Sequence, residues 1–350
     1  MTEEDDRGRP AVSVILTAYN RATYVHNALQ SILEQTIDPN LVEIVVVTNL
    51  KDLGSHESTL PVTGSRGNQI RIVTPGDVPV GPALVAGIRA SSAPVLAFLD
   101  DDDLWEPGRL ASIVEEFESH SDVSYYHNRQ SFIGPDGSSA LATFAYQLFK
   151  HPSDLFFNSR LHLGADALLT STAELINREA GFNMSSIALR RRVIEPWLGL
   201  LSRLDGLQDQ FLLYAALLAN SGIVLDSKKS TRYRLHSENA SFHALRTGGD
   251  RQTRAVSLSR KHLENLRVIR DGFERSQSKR LLQIVRVDEL YFSLVAGIQS
   301  PKISRKDVAQ SILLFIRYSV AIRCWKNLVV IARSALRLLW PGLSSLGLAT

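Results

Sequence analysis

The sequence predicts an α/β fold, a parallel sheet with crossover helices, followed by a helical C-terminal region. Three observations carry that reading. Short apolar runs rich in β-branched residues alternate with amphipathic stretches over the first hundred residues, the pattern of successive βα units. One such run, Val95 to Leu99, opens directly onto four aspartates, Asp100, Asp101, Asp102 and Asp103. Beyond about residue 245 the alternation stops and the chain reads as helix.

The elements follow in order. Val12-Ser13-Val14-Ile15-Leu16 reads as a buried strand. Asn20 then offers an N-cap, and Val25, Leu29, Ile32 and Leu33 fall on one face of a helix. Val42 to Val47 and Ile70 to Val73 read as the second and third strands, Val80 to Ala90 as a helix and Pro94 to Leu99 as the fourth strand. In such sheets ligands bind at the carboxyl ends of the strands, and the aspartates occupy one of those ends. Further on, Val123 to Ile133 and Ser185 to Leu189 read as strands, Gly134-Pro135-Asp136-Gly137 as a turn and Phe211 to Asn220 as a buried helix. Amphipathic helix runs from beyond Gly249 to Ile298, with a break at Ser300-Pro301. The expected division is 1–245 for the main domain and 246–350 for the helical region.

Bulk composition narrows the classes. A chain of 350 residues is long for one core and fits a domain with an appendage. With 44% hydrophobic and 21% charged residues it has the composition of a folded soluble protein. The net charge of +3 says little, but eight Lys/Arg lie between Lys302 and Arg337 against one acid, Asp307. A basic tail on a balanced chain points to an anionic surface. The single cysteine, Cys324, excludes an intramolecular disulfide and a Cys-based zinc site, which fits a cytoplasmic setting. The start, Thr2-Glu3-Glu4-Asp5-Asp6, does not read as a signal peptide, and the apolar stretches are too short or interrupted to span a bilayer.

The aspartates suggest the chemistry. Adjacent carboxylates repel, and their hard oxygens suit Mg²⁺ or Mn²⁺, which would bridge to phosphate oxygens. The plainer alternative is a solvated acidic loop capping the helix that starts near Pro107.

Three segments together resemble family 2 glycosyltransferases. Val12 to Arg21 is similar to the family's opening strand and loop. Phe98-Leu99-Asp100-Asp101-Asp102-Asp103-Leu104-Trp105, followed by Pro107, resembles its metal-binding DxD segment. Tyr233-Arg234-Leu235-His236-Ser237-Glu238-Asn239-Ala240-Ser241 resembles the motif that closes many members' catalytic domain. The resemblance covers roughly residues 10–245 and implies the GT-A fold, with inverting transfer of a sugar from a nucleoside-diphosphate donor to an acceptor hydroxyl.

Carried over by position, it implies Asp102 as the ligand of Mn²⁺ or Mg²⁺, with Asp100 as its partner and Asp101 near the ribose or sugar. Thr17, Tyr19 and Asn20 would bind the donor, Tyr19 packing on the base; a plain packing role for Tyr19 stays open. Where members end the second strand with an Asp-Asp pair that reads the base, this chain has Val47-Thr48-Asn49; Asn49 can accept from a uracil or thymine N–H, and can also donate. The catalytic base falls on Asp209 in Gly206-Leu207-Gln208-Asp209-Gln210-Phe211, with Gln208 in place of the usual Glu. Asp205 competes with it, and either could be a helix N-cap. His236 stands as a metal ligand, a diphosphate contact or a structural histidine. The Ala-Arg-Asn run that members carry after the glycine of the helix before the fourth strand is absent from Gly81 to Gly87.

In the tail, Arg323, Lys326, Arg333 and Arg337 fall opposite Leu328, Ile331, Leu338 and Leu339, a helix suited to the plane of an anionic bilayer or to packing on a domain or partner subunit. The expectation is a cytoplasmic enzyme, peripheral on the membrane, using a glycan or lipid-linked acceptor and no nucleic acid. Two rivals remain. A nucleotidyltransferase would need a Gly- and Lys-rich phosphate loop, which Thr17-Ala18-Tyr19-Asn20 is not. A non-catalytic sugar-nucleotide or scaffold protein of the same fold would fit the departures at Thr48-Asn49 and Gln208.

Overall fold

The structure, a computed structural model, describes residues 9–19, 22–50, 70–139, 159–164, 180–236, 239, 251–276, 278–298, 309–310 and 312–317. The chain divides into two compact units, residues 1–168 with 179–235, and residues 169–178 with 236–350.

The first unit is a mixed sheet with helices on both faces. Strands β1 (Val12–Ala18), β2 (Val42–Thr48), β3 (Ile70–Val73) and β4 (Val95–Asp100) pair in parallel in the order β3-β2-β1-β4. Helices α1 (Ala22–Leu33) and α2 (Val80–Ala90) lie between them in sequence. Every residue of β1 is buried, as a strand covered on both faces requires. On one face Val14 and Leu16 share a core with Val25, Leu29 and Ile32 of α1 and with Ile113 and Phe117 of α3 (Arg109–Ser119). On the other face α2 presses onto Ile15 and Val47. A Cβ at Gly87 would come within 2.7 Å of both side chains, so only glycine permits that approach.

The sheet continues through β8 (Ile187–Arg190), β6 (Val123–Ile133), β9 (Gly222–Arg234) and β5 (Leu104–Trp105), with β7 (Leu161–Leu163) also on β9. β8 runs antiparallel to β4 and β6, whereas β6 and β9 are parallel. Helix α4 (Gln208–Leu218) precedes β9. The alternating βα start is as the sequence predicts. Three strands escape that reading. β5 and β7 are two and three residues long, and β9 carries the polar run Asp226-Ser227-Lys228-Lys229-Ser230 mid-strand. Ser185, expected in a strand, lies in a 3-10 turn before β8. The aspartates do not cap α3, whose N-cap is Gly108 with no side-chain bond. Asn20 lies outside the described residues.

In the second unit, α5 (Arg251–Phe273) and α6 (Lys279–Ile298) bury Leu266, Ile269 and Phe273 and Leu281, Ile284 and Val285. Glu289 joins them, accepting from Arg270 Nη1 and Arg286 Nη1 at 2.6 Å each. Among the described residues no helix is long and apolar enough to cross a membrane. The cationic face at Arg323 to Arg337 lies outside the described residues.

Candidate active site

Register places the carboxyl ends of β2, β1 and β4 side by side, with Ala18 opposite Thr48 and Thr17 opposite Asp100. Thr17 Oγ1 donates to Asp100 Oδ1 at 2.9 Å, and the Thr17 carbonyl accepts from the Asp101 N–H at 3.1 Å. Thr48 Oγ1 donates to the Ala18 carbonyl at 2.7 Å and accepts from the Leu50 N–H at 3.0 Å, which fixes the turn that presents Asn49. Tyr19, next along, directs its hydroxyl to the Gly76 carbonyl at 3.5 Å. Burial, then the charge of Asp77, raises its phenol above the usual range. Thr17, Tyr19, Asn49 and Asp100 thus gather at one sheet end.

Of the four aspartates, Asp101, Asp102 and Asp103 are buried. Asp103 is fully buried and is held by the protein itself. Its Oδ1 accepts from the Arg234 N–H at 2.9 Å and its Oδ2 from Asn183 Nδ2 at 3.0 Å. Burial, then the charges of Asp102 and Asp100, pushes its carboxyl well above the ordinary carboxylate range. Asp100, Asp101 and Asp102 follow one another along the chain, and their carboxylates are hard oxygen donors of the kind that Mg²⁺ or Mn²⁺ takes. The segment is braced from outside. Arg234 Nε donates to the Asp102 carbonyl at 2.7 Å, and its Nη1 to the Gly134 and Pro135 carbonyls at 3.1 and 2.9 Å. Its guanidinium stacks 4.6 Å over the Tyr24 ring.

Asp209 is the second residue of α4, not its N-cap; the cap is Leu207, in the left-handed region at φ 61° with no side-chain bond. Backbone N–H groups of Gln210, at 2.8 Å, and of Asn183 donate to the Asp209 carboxylate. Burial outweighs them and pushes its carboxyl up to about 6. Asp205 is exposed on the preceding loop.

Asn183 therefore joins the two halves of the site, its side chain on Asp103 and its N–H on Asp209. It does so at φ 77°, which costs an Asn less than most residues. The loop is clamped from β6. Tyr125 OH donates to the Ala180 carbonyl at 2.6 Å, and His127 Nε2 and Gln130 Nε2 meet the Phe182 carbonyl at 2.6 and 3.1 Å. Ser185 Oγ accepts from the Asp100 N–H at 3.0 Å, tying the same loop to β4. Sequence reasoning missed Asn183 and Ser185; the only hint is a Gly181-Phe182-Asn183 turn signal. His236 belongs to the second unit, two residues past β9, where it is buried and its N–H donates to Asn239 Oδ1 at 2.6 Å.

The candidate site is thus a run of aspartates at the carboxyl end of β4 with Asp209 joined to it through Asn183. Residues 13–192, just over half of the chain, match "Glycosyl transferase family 2", and the chain belongs to that family. Its fold is GT-A, a mixed sheet with helices, followed by C-terminal helices. It is 33% identical over 125 residues to an uncharacterized glycosyltransferase of Nostoc sp., covering 36% of this chain and 38% of that protein. A chondroitin synthase of Pasteurella multocida is 27% identical over 132 residues, 37% of this chain and 13% of that one. The match thus spans little more than a third of the Nostoc protein and much less of the Pasteurella one. Among solved structures, S. aureus TarS in complex with UDP-GlcNAc aligns with a TM-score of 0.49 at 13% identity, covering 89% of this chain and 90% of that one. A Pyrobaculum calidifontis mannosyltransferase with GDP-Man and Mn²⁺ aligns at 0.46 and 15% identity, covering 95% and 88%.

Proposed function

We propose that the protein transfers a sugar from a nucleoside-diphosphate donor to an acceptor hydroxyl with inversion, and that Asp209 is the general base. The observation that carries this is Asp209 itself: a carboxyl raised to about 6 by burial, linked through Asn183 to the aspartates. A base near the working pH accepts a proton while remaining mostly ionised at neutrality. The acceptor oxygen gives its proton to the Asp209 carboxylate as it bonds to the anomeric carbon. The bond from that carbon to the diphosphate breaks on the opposite side, and the diphosphate leaves with the electron pair.

Donor binding falls to Thr17, Tyr19 and Asn49 at the strand ends and to Asp101 near the sugar, with Asn20 and His236 in the roles their motif positions imply. A divalent cation on Asp102, with Asp100 beside it, would supply positive charge to the diphosphate. The acceptor is a glycan or lipid-linked, the catalytic domain is residues 1–245, and the protein sits on the cytoplasmic face of the membrane through its basic tail. Exposed Leu313, Leu314 and Ile316 next to Arg317 support that contact, since apolar groups beside cations suit a lipid interface.

The test is calorimetry of the full chain against a panel of nucleotide-sugars, with and without Mn²⁺. One of them should bind only with the metal, and Asp102→Ala should abolish that binding. Equal donor affinity in Asp102→Ala and wild type would refute the metal assignment. If no nucleotide-sugar binds, a non-catalytic role replaces this one.

A further inference from the structure

A second cluster of ligating side chains lies at the other end of the same sheet. β6 runs from Val123, beside this cluster, to Ile133, beside the Gly134 carbonyl that Arg234 binds. At about 3.3 Å per residue that separates the two places by roughly 30 Å. Glu116 and His120 are one turn apart, at the end of α3 and at its C-cap, and share a face. β7 brings in His162, whose register partner on β9 is Val224. One nitrogen from each imidazole and one oxygen of Glu116 all lie within 4.8 Å of one another.

We propose that Glu116, His120 and His162 form a second metal site, distinct from the aspartates, for a borderline ion of the zinc class. Two imidazoles and one carboxylate suit Zn²⁺ better than Mg²⁺ and leave a fourth position for water. Bonds of 2.0–2.1 Å in a tetrahedron set ligands roughly 3.3 Å apart. His120 Nδ1 already stands 3.1 Å from Glu116 Oε1. The two rings meet edge to face with centroids 5.2 Å apart, and their side chains are 43% and 36% exposed, so rotation closes the remaining distance.

Glu116 is the second, independent sign. Its side chain is 3% exposed, and Oε1 makes no hydrogen bond among the described residues although His120 Nδ1, which also lies 3.3 Å from the Glu116 carbonyl, faces it at 3.1 Å. Arg160 pairs with the other oxygen, Oε2, and reaches Asp226 Oδ2 at 3.5 Å, which leaves Oε1 toward the histidines. A buried carboxylate oxygen facing an imidazole nitrogen at that distance needs a proton or a metal cation to join them, and a cation there would also draw in His162. Asp122 Oδ2 lies 3.6 Å from His162 Nε2, placed to orient that ring as carboxylates do behind metal-bound histidines. The ion would staple the end of α3 to β7 and so secure this margin of the sheet.

Full-length protein stripped with EDTA and titrated with Co²⁺ decides it. One equivalent should develop the visible absorption of tetrahedral Co²⁺, and Zn²⁺ should abolish it. Asp102→Ala should retain the signal; His120→Ala and His162→Ala, both at exposed rings, should lose it. Zn²⁺ at about a hundredfold excess over its dissociation constant should raise the thermal midpoint by about 5–10 °C in wild type and Asp102→Ala but not in the histidine variants. Circular dichroism confirms that the variants are folded, and His162→Gln serves if His162→Ala is not. Absence of the tetrahedral signal in wild type, or its persistence in both histidine variants, overturns the site. None of these readouts depends on sugar transfer.

Discussion

Asp209 keeps an ionised carboxylate where burial disfavours it, and the consequence for stability has a definite sign. Its folded-state carboxyl titrates at about 6 against 3.8 for a free aspartate, so the folded protein holds that proton more tightly than the unfolded chain. Stability on this account is full below about pH 4 and falls as pH rises to about 6. Asp209→Asn removes the charge and keeps the shape, so at pH 7 it should be more stable than wild type, by on the order of 1–3 kcal/mol. The same change should lower turnover by about 10²–10⁴ and leave donor affinity nearly unchanged. In wild type, kcat/KM should fall below about pH 6 as the base protonates. Asp205→Asn, at an exposed site, should do neither. A variant that is inactive at Asp205 and active at Asp209 would place the base one helical turn away. The resemblance gave Asp102 and Asp209 their expected roles, but the partners of Asp103 were not legible in the sequence. Asp103 appears from the sequence as one more member of an acidic run; the structure turns it inward onto Asn183 and Arg234.

The loop from Ala180 to Ser186 explains why an element between two secondary structures can matter as much as either. It has little regular structure of its own and takes its shape from three β6 side chains, with Gly181 packed so closely that a Cβ would lie 2.8 Å from Gln210 Oε1. Strands β1, β2 and β4 could be read from the chain because short, nearly continuous β-branched and apolar runs suit strands covered on both faces. The loop could not, because its register depends on tyrosine, histidine and glutamine side chains that arrive from another strand. Tyr125→Phe should test that clamp. It leaves the Ala180 carbonyl without its donor, at about 1–3 kcal/mol. Turnover should fall while metal-dependent donor affinity stays within about twofold, because Tyr125 touches the loop that carries Asn183 and not the aspartates. Asn183→Gly, which keeps the φ of 77° but loses the bond to Asp103, should be milder in stability than Asn183→Ala, which loses both. Equal stability of the two variants would remove strain from the account.

At the scale of the whole molecule, the family match ends at residue 192, yet Arg234, in the motif read from the sequence at Tyr233 to Ser241, still braces the aspartate segment. The second unit was legible only as helix, because amphipathic periodicity gives an element without saying what its apolar face covers. Its proposed role at a membrane rests on the tail and on one described segment, residues 312–317. Ile312 and Phe315 are buried there, while Leu313, at 68% exposure, Leu314 and Ile316 face outward. That split changes how the membrane contact is best tested. A chain ending near residue 300 would lose Phe315 and with it about 1.5–3 kcal/mol of burial, so failure to bind lipid would be confounded with loss of folding. Leu313→Ser with Leu314→Ser removes only outward-facing apolar groups and should leave the thermal midpoint within about 2 °C. If the segment lies in a lipid interface, the double variant should sediment less with anionic liposomes. A chain ending after Arg317 should lose more, because Arg323, Lys326, Arg333 and Arg337 each contribute roughly 1 kcal/mol near such a surface. Both variants should bind neutral liposomes no better than wild type. Undiminished sedimentation of the shortened chain would mean that the tail packs on protein, and the acceptor would then need another route to the site.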